Sequence, residues 1–408
     1  MEESNQSETK EITVLCKVLD NFGDIGVVYR LCRSLMDIDG TLRLNLVVSG
    51  LGTFKRMAEG IDPDLPFQTY RGWNIFDWND GETCGKYFSE NPPSVILQTF
   101  QCGLPDWLDD IIYGEEFSNA GNFCRIVNIE YLTAEKWADD FHLLEGATRS
   151  ANVKKHFFMP GFTKKTGGLI LDKNFTECLS DENYRKSRTA SLAKEIQFSE
   201  SDFNILVFSY PNDFTFFFDA VERFSEKSAR KIRVYVAPGA GEESFKKTES
   251  EYGKKNFSVV HLPYLSQEVW DAFLCSMDFL FIRGEDSFAR AALSGIPFLW
   301  NIYQQDGEFH LVKLKAFLDI LGCGKINGLS WLYNRNFGLE CGPEATDAWG
   351  KVSECENEEE ARKRMAELLR EILFNLDEIK PSFQKLAERT LALGNLSDKL
   401  LEFLPLKN

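Results

Sequence analysis

Two aspartates four residues apart are the first candidates for chemistry in this sequence. Asp20 and Asp24 lie in the segment 20–26 (DNFGDIG), between an apolar run and a stretch of helical periodicity. Two carboxylates on one loop can hold a cation by bidentate hydrogen bonds, and one of them can accept a proton as a general base. The alternative is structural: Asp24 caps a helix that begins near Ile25, and Asp20 ends the strand in a turn.

A second candidate segment, 282–297 (IRGEDSFARAALSGIP), directly follows an apolar strand pattern. Glu285, Asp286 and Ser287 fall where the next helix begins, a position at which backbone N–H groups and the helix dipole attract an anion. Arg283 can add a bidentate contact, so the residue types suit a diphosphate. The alternative is an ordinary helix capped by Asp286 or Ser287, with Arg283 as a surface charge. The carboxylates favour that alternative unless they turn toward ribose hydroxyls.

Aromatic and amide side chains elsewhere suit a nucleobase. Tyr264 and Trp270 flank Gln267 at the turn from a strand into a helix, from which two rings can enclose a base. Trp270 also lies on the apolar face of that helix, so packing in the core is an equal alternative. Tyr210 and Tyr303 each end a predicted strand. The four histidines lack the paired spacing of a metal site, and we expect no metal.

The elements that must position these residues form two series of short strands that alternate with helices. Strands are predicted at 11–19, 44–49, 94–100 and 125–131, and then at 203–209, 231–237, 257–262, 278–282 and 296–302. Short apolar runs of this kind are typical of buried parallel strands, and the alternation predicts two doubly wound sheets that bind ligands at the carboxyl ends of their strands. Residues 358–376 carry the apolar face of a helix.

Size and composition agree with that organisation. A chain of 408 residues exceeds what one hydrophobic core usually supports, and we expect domains at 1–180 and 181–375, with helices at 376–408 packing back on the first domain. The net charge of −17 disfavours nucleic acid as a partner. The first residues lack a secretory pattern, no run is long enough to span a membrane, and the ten cysteines are scattered. We therefore expect a cytoplasmic protein without disulfides.

Three segments together resemble one enzyme family. DNFGDIGV at 20–27, HFFMPGFTKKTGGLI at 156–170 and FLFIRGEDSFARAALSGIPFLWNIYQQ at 279–305 are similar to the bacterial protein-arginine rhamnosyltransferases of the EarP family, which modify elongation factor P. The similarity extends from about residue 11 into the C-terminal helices. Two features depart from the family pattern: Gln304 stands where a proline often precedes the glutamine, and the stretch 322–356 is expanded.

The resemblance implies a GT-B fold, in which two Rossmann-like domains face each other across a cleft. It also implies an inverting transfer of rhamnose from dTDP-β-L-rhamnose to an arginine of elongation factor P, without a metal. By the same resemblance, Asp20 matches the catalytic base and Asp24 an essential neighbour. The donor residues implied are Tyr210, Tyr264, Gln267, Trp270, Arg283, Glu285, Asp286, Ser287 and Tyr303.

Two other classes of protein share parts of this pattern. A nicotinamide-dependent oxidoreductase has the same architecture but carries the GxGxxG fingerprint, and the loop at 20–26 offers only two glycines. Another nucleotide-sugar transferase, or a nucleotide-sugar-binding protein without activity, would have the same pockets. Which of Asp20 and Asp24 is the base stays open at this point.

Overall fold

The computed structural model describes residues 10–19, 22–337, 342–349 and 357–406. The chain divides into two compact units. Unit 1 consists of Met1–Lys173 and Leu393–Asn408, and unit 2 is Asn174–Ala392.

Unit 1 is built on one sheet. Its strands are β1 Glu11–Cys16, β2 Arg43–Val48, β3 Phe67–Tyr70, β4 Trp73–Asp77, β5 Val95–Thr99, β6 Cys124–Ile129, β7 Glu145–Gly146 and β8 Val153–Phe158. The order is β3-β4-β2-β1-β5-β6-β8-β7, with antiparallel strands at the two edges and parallel pairs elsewhere. The strand order reverses at β1, because β2 lies on one side of it and β5 on the other.

Unit 2 contains a smaller sheet in which all pairs are parallel. Its strands are β9 Phe203–Val207, β10 Ile232–Val236, β11 Ser258–His261, β12 Phe279–Arg283 and β13 Phe298–Asn301. The order is β11-β10-β9-β12-β13, so the order reverses at β9, between β10 and β12. The nine strands predicted from the sequence are confirmed, whereas β3, β4, β7 and β8 were not predicted.

Helices connect the strands of both sheets. Those before β9 are α1 Phe22–Ile38, α2 Leu51–Met57, α3 Gly81–Glu90, α4 Asp106–Ile112, α5 Glu115–Asn119, α6 Ala138–Phe141, α7 Lys173–Ser180 and α8 Glu182–Glu195. Those after β9 are α9 Thr215–Ser225, α10 Glu242–Tyr252, α11 Gln267–Leu274, α12 Glu285–Ser294, α13 Phe309–Leu321, α14 Asn327–Asn334, α15 Pro343–Trp349, α16 Glu358–Phe374, α17 Leu376–Leu391 and α18 Leu396–Phe403.

The division into units differs from the expected domains. We predicted boundaries at 180/181 and at 375/376, but unit 2 begins at Asn174 and extends through α17. The physical reason is packing, because α17 lies against α12, α13 and α16, which all belong to unit 2. Only the last segment returns to unit 1, where α18 packs against α1.

Buried ion pairs connect Asp172, near the end of the segment Met1–Lys173, to α1. Asp172 accepts hydrogen bonds from Arg30 at 2.5 Å and from Arg33 at 2.8 Å, and the side chains of Arg30 and Asp172 are fully buried. The same helix carries Asp24 in its first turn. The ion pairs therefore hold the helix that positions a candidate site residue.

From the sequence we expected no membrane-spanning segment and no disulfides. Within the described ranges, no helix has the length and apolar character needed to cross a bilayer. The eight cysteines that the structure describes are free thiols.

Replacing Asp172 by alanine is expected to lower the free energy of unfolding by about 3–5 kcal/mol, because it leaves two buried arginines without their shared carboxylate. Urea denaturation followed by circular dichroism measures the change. The control is Glu145→Ala, which removes an exposed pair with Lys154 and should leave the midpoint unchanged. Equal effects of the two substitutions would contradict the assignment.

Candidate active site

Arg283 lies at the point of unit 2 where the strand order reverses. It is the last residue of β12, only 2% exposed, and its guanidinium lies 4.7 Å from the ring centres of both Phe208 and Tyr210, which follow β9. The two rings fix the guanidinium by cation–π contact and limit its rotation. In a doubly wound sheet this reversal point is where ligands bind, and a guanidinium held here is able to contact an anion.

The first turn of α12 has no side-chain cap. Gly284 is the N-cap, with a left-handed φ of 74°, and no side chain caps the helix. Asp286 accepts a hydrogen bond from Gln267 (3.0 Å), and Ser287 accepts one from the indole N–H of Trp270 (3.2 Å). The alternative considered from the sequence, a helix capped by Asp286 or Ser287, is therefore not observed. Instead, the N-termini of α11 and α12 are held together by their side chains.

The charge of Glu285 is balanced within unit 2. Lys313 of α13 donates to Glu285 at 2.9 Å, and both side chains are largely buried. This pairing offsets the repulsion that an unpaired carboxylate would exert on a bound phosphate. Sequence reasoning missed Lys313, since a pair 28 residues apart leaves no local signal.

The remaining aromatic candidates occupy two positions. Tyr264 lies on the loop before α11, with half of its side chain exposed. Tyr210 and Tyr303 form an edge-to-face pair with ring centres 5.7 Å apart, at the ends of β9 and β13. A cavity of about 600 Å³ opens beside this pair, and Asn212 and Arg335 also line it.

A glycine loop after β10 supports the same corner and was not singled out from the sequence. A Cβ on Gly241 would lie 2.6 Å from the carbonyl oxygen of Ser209, and one on Gly239 would lie 3.4 Å from the Arg283 guanidinium. The backbone of this loop therefore packs directly against Ser209 and against the side chain of Arg283. The signal available in the sequence was the tripeptide Gly239-Ala240-Gly241, immediately after a strand.

An asparagine of α14 fixes the ends of β9 and β13. The Asn334 side chain accepts from the Ile302 N–H at 2.9 Å and from the Asn301 amide, and it donates to the carbonyls of Trp300 and Ser330. Asn301 in turn accepts from the backbone N–H of Tyr210 at 2.8 Å. Asn334 thus holds the two strand ends that carry the tyrosine pair.

In unit 1, Asp24 is a buried and engaged carboxylate. The sequence predicted a helix that begins near Ile25, but α1 begins at Phe22, so Asp24 lies inside its first turn. Asp24 is 1% exposed and accepts from the Leu19 N–H at 2.7 Å and from the Tyr131 hydroxyl at 3.1 Å. Asp20 lies outside the described residues.

The loop after β5 presents an aromatic platform. Phe100 and Gln101 both have left-handed φ values, 52° and 53°, which residues other than glycine adopt at a cost of about 1–2 kcal/mol. The Phe100 N–H donates to Ile129, and the Phe100 ring stacks on Tyr131 with centres 4.2 Å apart and planes inclined by 8°. Strain of this kind, held by neighbouring strands, is typical of functional sites.

Glu130 adds a second buried carboxylate to that edge of unit 1. Its Oε1 accepts from the side chains of Gln101 (2.8 Å) and Asn128 (2.5 Å). Burial raises the pKa of Glu130 above its ordinary value, although these two hydrogen bonds act in the opposite direction. Sequence reasoning missed Glu130, because a single glutamate after a strand carries no specific pattern. The platform and the carboxylate together suit a guanidinium, which stacks on rings and pairs with carboxylates.

The fold and the residues at the two reversal points define an α/β protein of the GT-B type, the architecture of nucleotide-sugar enzymes. The family model for the elongation factor P rhamnosyltransferase EarP matches residues 12–405. The chain belongs to this family and is a glycosyltransferase.

Curated relatives agree with the family match. The chain is 30% identical to the protein-arginine rhamnosyltransferase of Shewanella oneidensis over 86% of each chain. It is 31% identical to the enzyme of the same name from Pseudomonas putida, over 76% of this chain and 81% of the relative.

Solved structures support the fold. An EarP structure, solved to explain arginine glycosylation of translation elongation factor EF-P, aligns with a TM-score of 0.54 at 20% identity, covering 96% of this chain and 98% of the other. UDP-GlcNAc 2-epimerase of Neisseria meningitidis aligns with a TM-score of 0.53 at 11% identity and the same coverage.

Gly241→Ala is expected to destabilise unit 2 by about 1–3 kcal/mol, because the new methyl group overlaps the backbone of Ser209 and must displace the end of β9. Thermal and urea unfolding measure the effect. Gly324→Ala is the matched control, since nothing lies within 4 Å of its Cβ position. If both variants were as stable as the parent protein, the close packing at Gly241 would be refuted.

Proposed function

We propose that this protein transfers L-rhamnose from dTDP-β-L-rhamnose to a guanidinium nitrogen of one arginine of translation elongation factor P, with inversion at the anomeric carbon. The family match and the relatives named protein-arginine rhamnosyltransferase support the reaction class. The choice of donor and acceptor rests on what those relatives are named for and on the chemistry of the two units.

The observation that carries the proposal is the combination of stacked aromatic rings and a buried carboxylate in unit 1. The stacked rings of Phe100 and Tyr131 offer a flat face, and Glu130 offers a carboxylate whose Oε1 is already oriented by Gln101. An arginine side chain is the ligand that uses both features at once, by cation–π stacking and by charge-assisted hydrogen bonds. A neutral hydroxyl acceptor would use neither the ring face nor the charge of the carboxylate.

The residues of unit 2 suit the leaving nucleotide. Arg283 and the uncapped first turn of α12 offer positive charge to a diphosphate, and Lys313 removes the opposing charge of Glu285. Gln267 and Trp270 lie against the same helix terminus, where a thymine can be enclosed. As the anomeric C–O bond breaks, these donors stabilise the negative charge that develops on the diphosphate.

We assign the role of general base to Asp20 and a positioning role to Asp24. Both oxygens of Asp24 already accept hydrogen bonds, one from Leu19 and one from Tyr131, so this carboxylate orders the loop and the platform. In the proposed step, a guanidinium nitrogen forms a bond to the anomeric carbon, the bond from that carbon to the diphosphate breaks, and the nitrogen's proton passes to Asp20. We propose no metal, because Arg283 and the helix dipole can do the work of a cation.

The direct test is incubation of the purified protein with elongation factor P and dTDP-rhamnose, followed by mass spectrometry of the acceptor. We expect a mass gain of one deoxyhexosyl group on a single arginine, with the same yield in the presence of EDTA. UDP-glucose serves as the control donor. An unmodified acceptor would overturn the proposed function, and a yield that magnesium restores after EDTA would overturn the metal-free mechanism.

Asp20→Asn is expected to lower single-turnover transfer by about 10²–10⁴-fold, because asparagine keeps the shape of the side chain but cannot take up a proton. Donor binding, measured by titration calorimetry with dTDP, should stay unchanged, since the diphosphate contacts proposed here belong to unit 2. A transfer rate near that of the parent protein would remove Asp20 from the role of base. Asp24→Asn is the companion variant and should lose thermal stability as well as activity.

Glu130→Gln is expected to raise the KM for elongation factor P by about tenfold or more, because a charged hydrogen bond to the guanidinium is lost. The ionised carboxylate is the form that binds, and burial raises its pKa, so the KM of the parent enzyme should rise as the pH falls toward that pKa. The variant should lack this pH dependence. Glu145→Gln, an exposed glutamate of the same unit, is the control. An unaltered KM profile in Glu130→Gln would exclude the role.

A further inference from the structure

The cavity of unit 2 lies next to the residues proposed for the diphosphate but does not include them. Its walls come from the loop after β9, the end of β13, the C-terminal end of α14 and the first two turns of α16. In the described structure none of the residues that line it belongs to α12. The volume of about 600 Å³ is that of a small-molecule site, which usually occupies roughly 300–1,000 Å³.

Arg335 gives this cavity a cation that is held in one orientation. Its guanidinium lies 5.7 Å from the ring centre of Trp331 and 5.2 Å from that of Phe337. Its Nε is buried and has no hydrogen-bond partner among the described residues. The other arginine on the lining, Arg362, forms an ion pair with Asp213 at 3.0 Å. A half-buried charge without a protein partner is costly, and an anionic ligand supplies the missing hydrogen bonds.

The carboxylates on the lining leave that cation available to an anion. Two of them line the cavity in the described part of the chain, Asp213 and Glu358. Asp213 is neutralised by Arg362. Glu358 lies in the first turn of α16 and is exposed, so that solvent and salt screen its charge.

Aromatic rings and side-chain amides form much of the remaining wall. The rings are those of Tyr210, Tyr303 and Phe337, and the amides are those of Asn212, Gln304 and Asn336. Rings offer flat apolar faces, and amides offer both donors and acceptors. This combination suits a sugar, which has apolar faces and hydroxyl groups around its edge.

Contacts within unit 2 fix these walls before a ligand binds. Glu308, which is only 1% exposed, accepts a hydrogen bond from the Asn336 N–H at 3.1 Å. The ion pair between Asp213 and Arg362 ties the loop after β9 to α16. A ligand that enters a fixed site loses less free energy to the ordering of protein groups.

We infer that this cavity is a second ligand site, which takes a sugar that carries one anionic group, either a carboxylate or a phosphate. Arg335 holds the anionic group, and the rings and amides hold the sugar. The inference goes beyond the proposed function, because this ligand is neither the donor nor the acceptor. The diphosphate of the proposed donor is assigned to Arg283 and its deoxyhexose is neutral, so the donor makes no use of Arg335.

The experiment is titration calorimetry of the full-length protein with two probes, α-D-glucose 1-phosphate and D-glucuronate, each with and without saturating dTDP. At least one probe should bind, and its affinity should persist when dTDP fills the donor site. D-glucose and inorganic phosphate should each bind about tenfold more weakly or less, because each provides only half of the contacts. Displacement of the probe by dTDP would place it in the donor site and overturn the inference, as would the failure of both probes to bind. Inorganic phosphate binding as tightly as glucose 1-phosphate would overturn the assignment of a sugar.

Substitution of Arg335 locates the probe in the cavity. Arg335→Gln should weaken binding by about tenfold or more, because a charge-assisted hydrogen bond is lost, and should leave dTDP binding unchanged. The matched control is Arg364→Gln, an exposed arginine of α16 that pairs with Glu367 at 2.9 Å and does not line the cavity. Asn212→Leu is a second variant that leaves α14 intact and should weaken the probe by about threefold or more. Probe affinity unchanged in Arg335→Gln, or in Asn212→Leu if the arginine variant does not fold, would overturn the inference.

Discussion

The reversal of strand order at the first strand of each sheet is the constraint on which both candidate sites depend. In a doubly wound sheet, the connections that leave the strands on either side of the reversal point turn to opposite faces, and a crevice stays open at the carboxyl ends. Unit 1 brings carboxylates and stacked aromatic rings to this place, whereas unit 2 brings a guanidinium and an uncapped helix terminus. The same geometry therefore serves both the cation site that we propose for unit 1 and the anion site that we propose for unit 2. A reaction that joins a guanidinium to a sugar released from a diphosphate needs both kinds of site.

Buried polar groups outside the motifs keep these crevices in shape. In unit 2, Asn334 uses its donors and its acceptor to tie the ends of β13 and, through Asn301, of β9. In unit 1, Asp172 does the same for α1 through two arginines. Removing one partner of such a network costs more free energy of folding than the whole network contributes, because the other groups are left buried without their hydrogen bonds. Asn334 of α14, although it belongs to none of the motifs, therefore contributes directly to the geometry of this corner of unit 2.

Sequence periodicity predicted nine strands with apolar sequences and two doubly wound sheets, but not the order of the strands within each sheet. It did not predict β8, because Lys154, Lys155 and His156 interrupt the apolar run in a strand that is only half covered. The cluster at the N-terminus of α12 could be recognised in the sequence, because Arg283, Asp286 and Ser287 are neighbours in the chain. Contacts across the sheet could not be predicted in this way, because Gln101 and Glu130 are 29 residues apart. The left-handed backbone at Phe100 was also missed, because such a conformation is usually signalled by a glycine and none is present there. The role of Asp20 stays a prediction, as do the roles of the donor residues.

Because Leu393–Asn408 belong to unit 1, the order of translation affects when that unit can fold. Leu396 donates its N–H to Leu169, Asn395 accepts from Leu171, and α18 covers α1. Domains generally fold as they leave the ribosome, N-terminal parts first. Here the first unit to be translated cannot close its core until the final helix emerges, whereas unit 2 is continuous and complete before that moment. Until α18 is synthesised, the nascent chain therefore exposes the face of α1 that this helix covers.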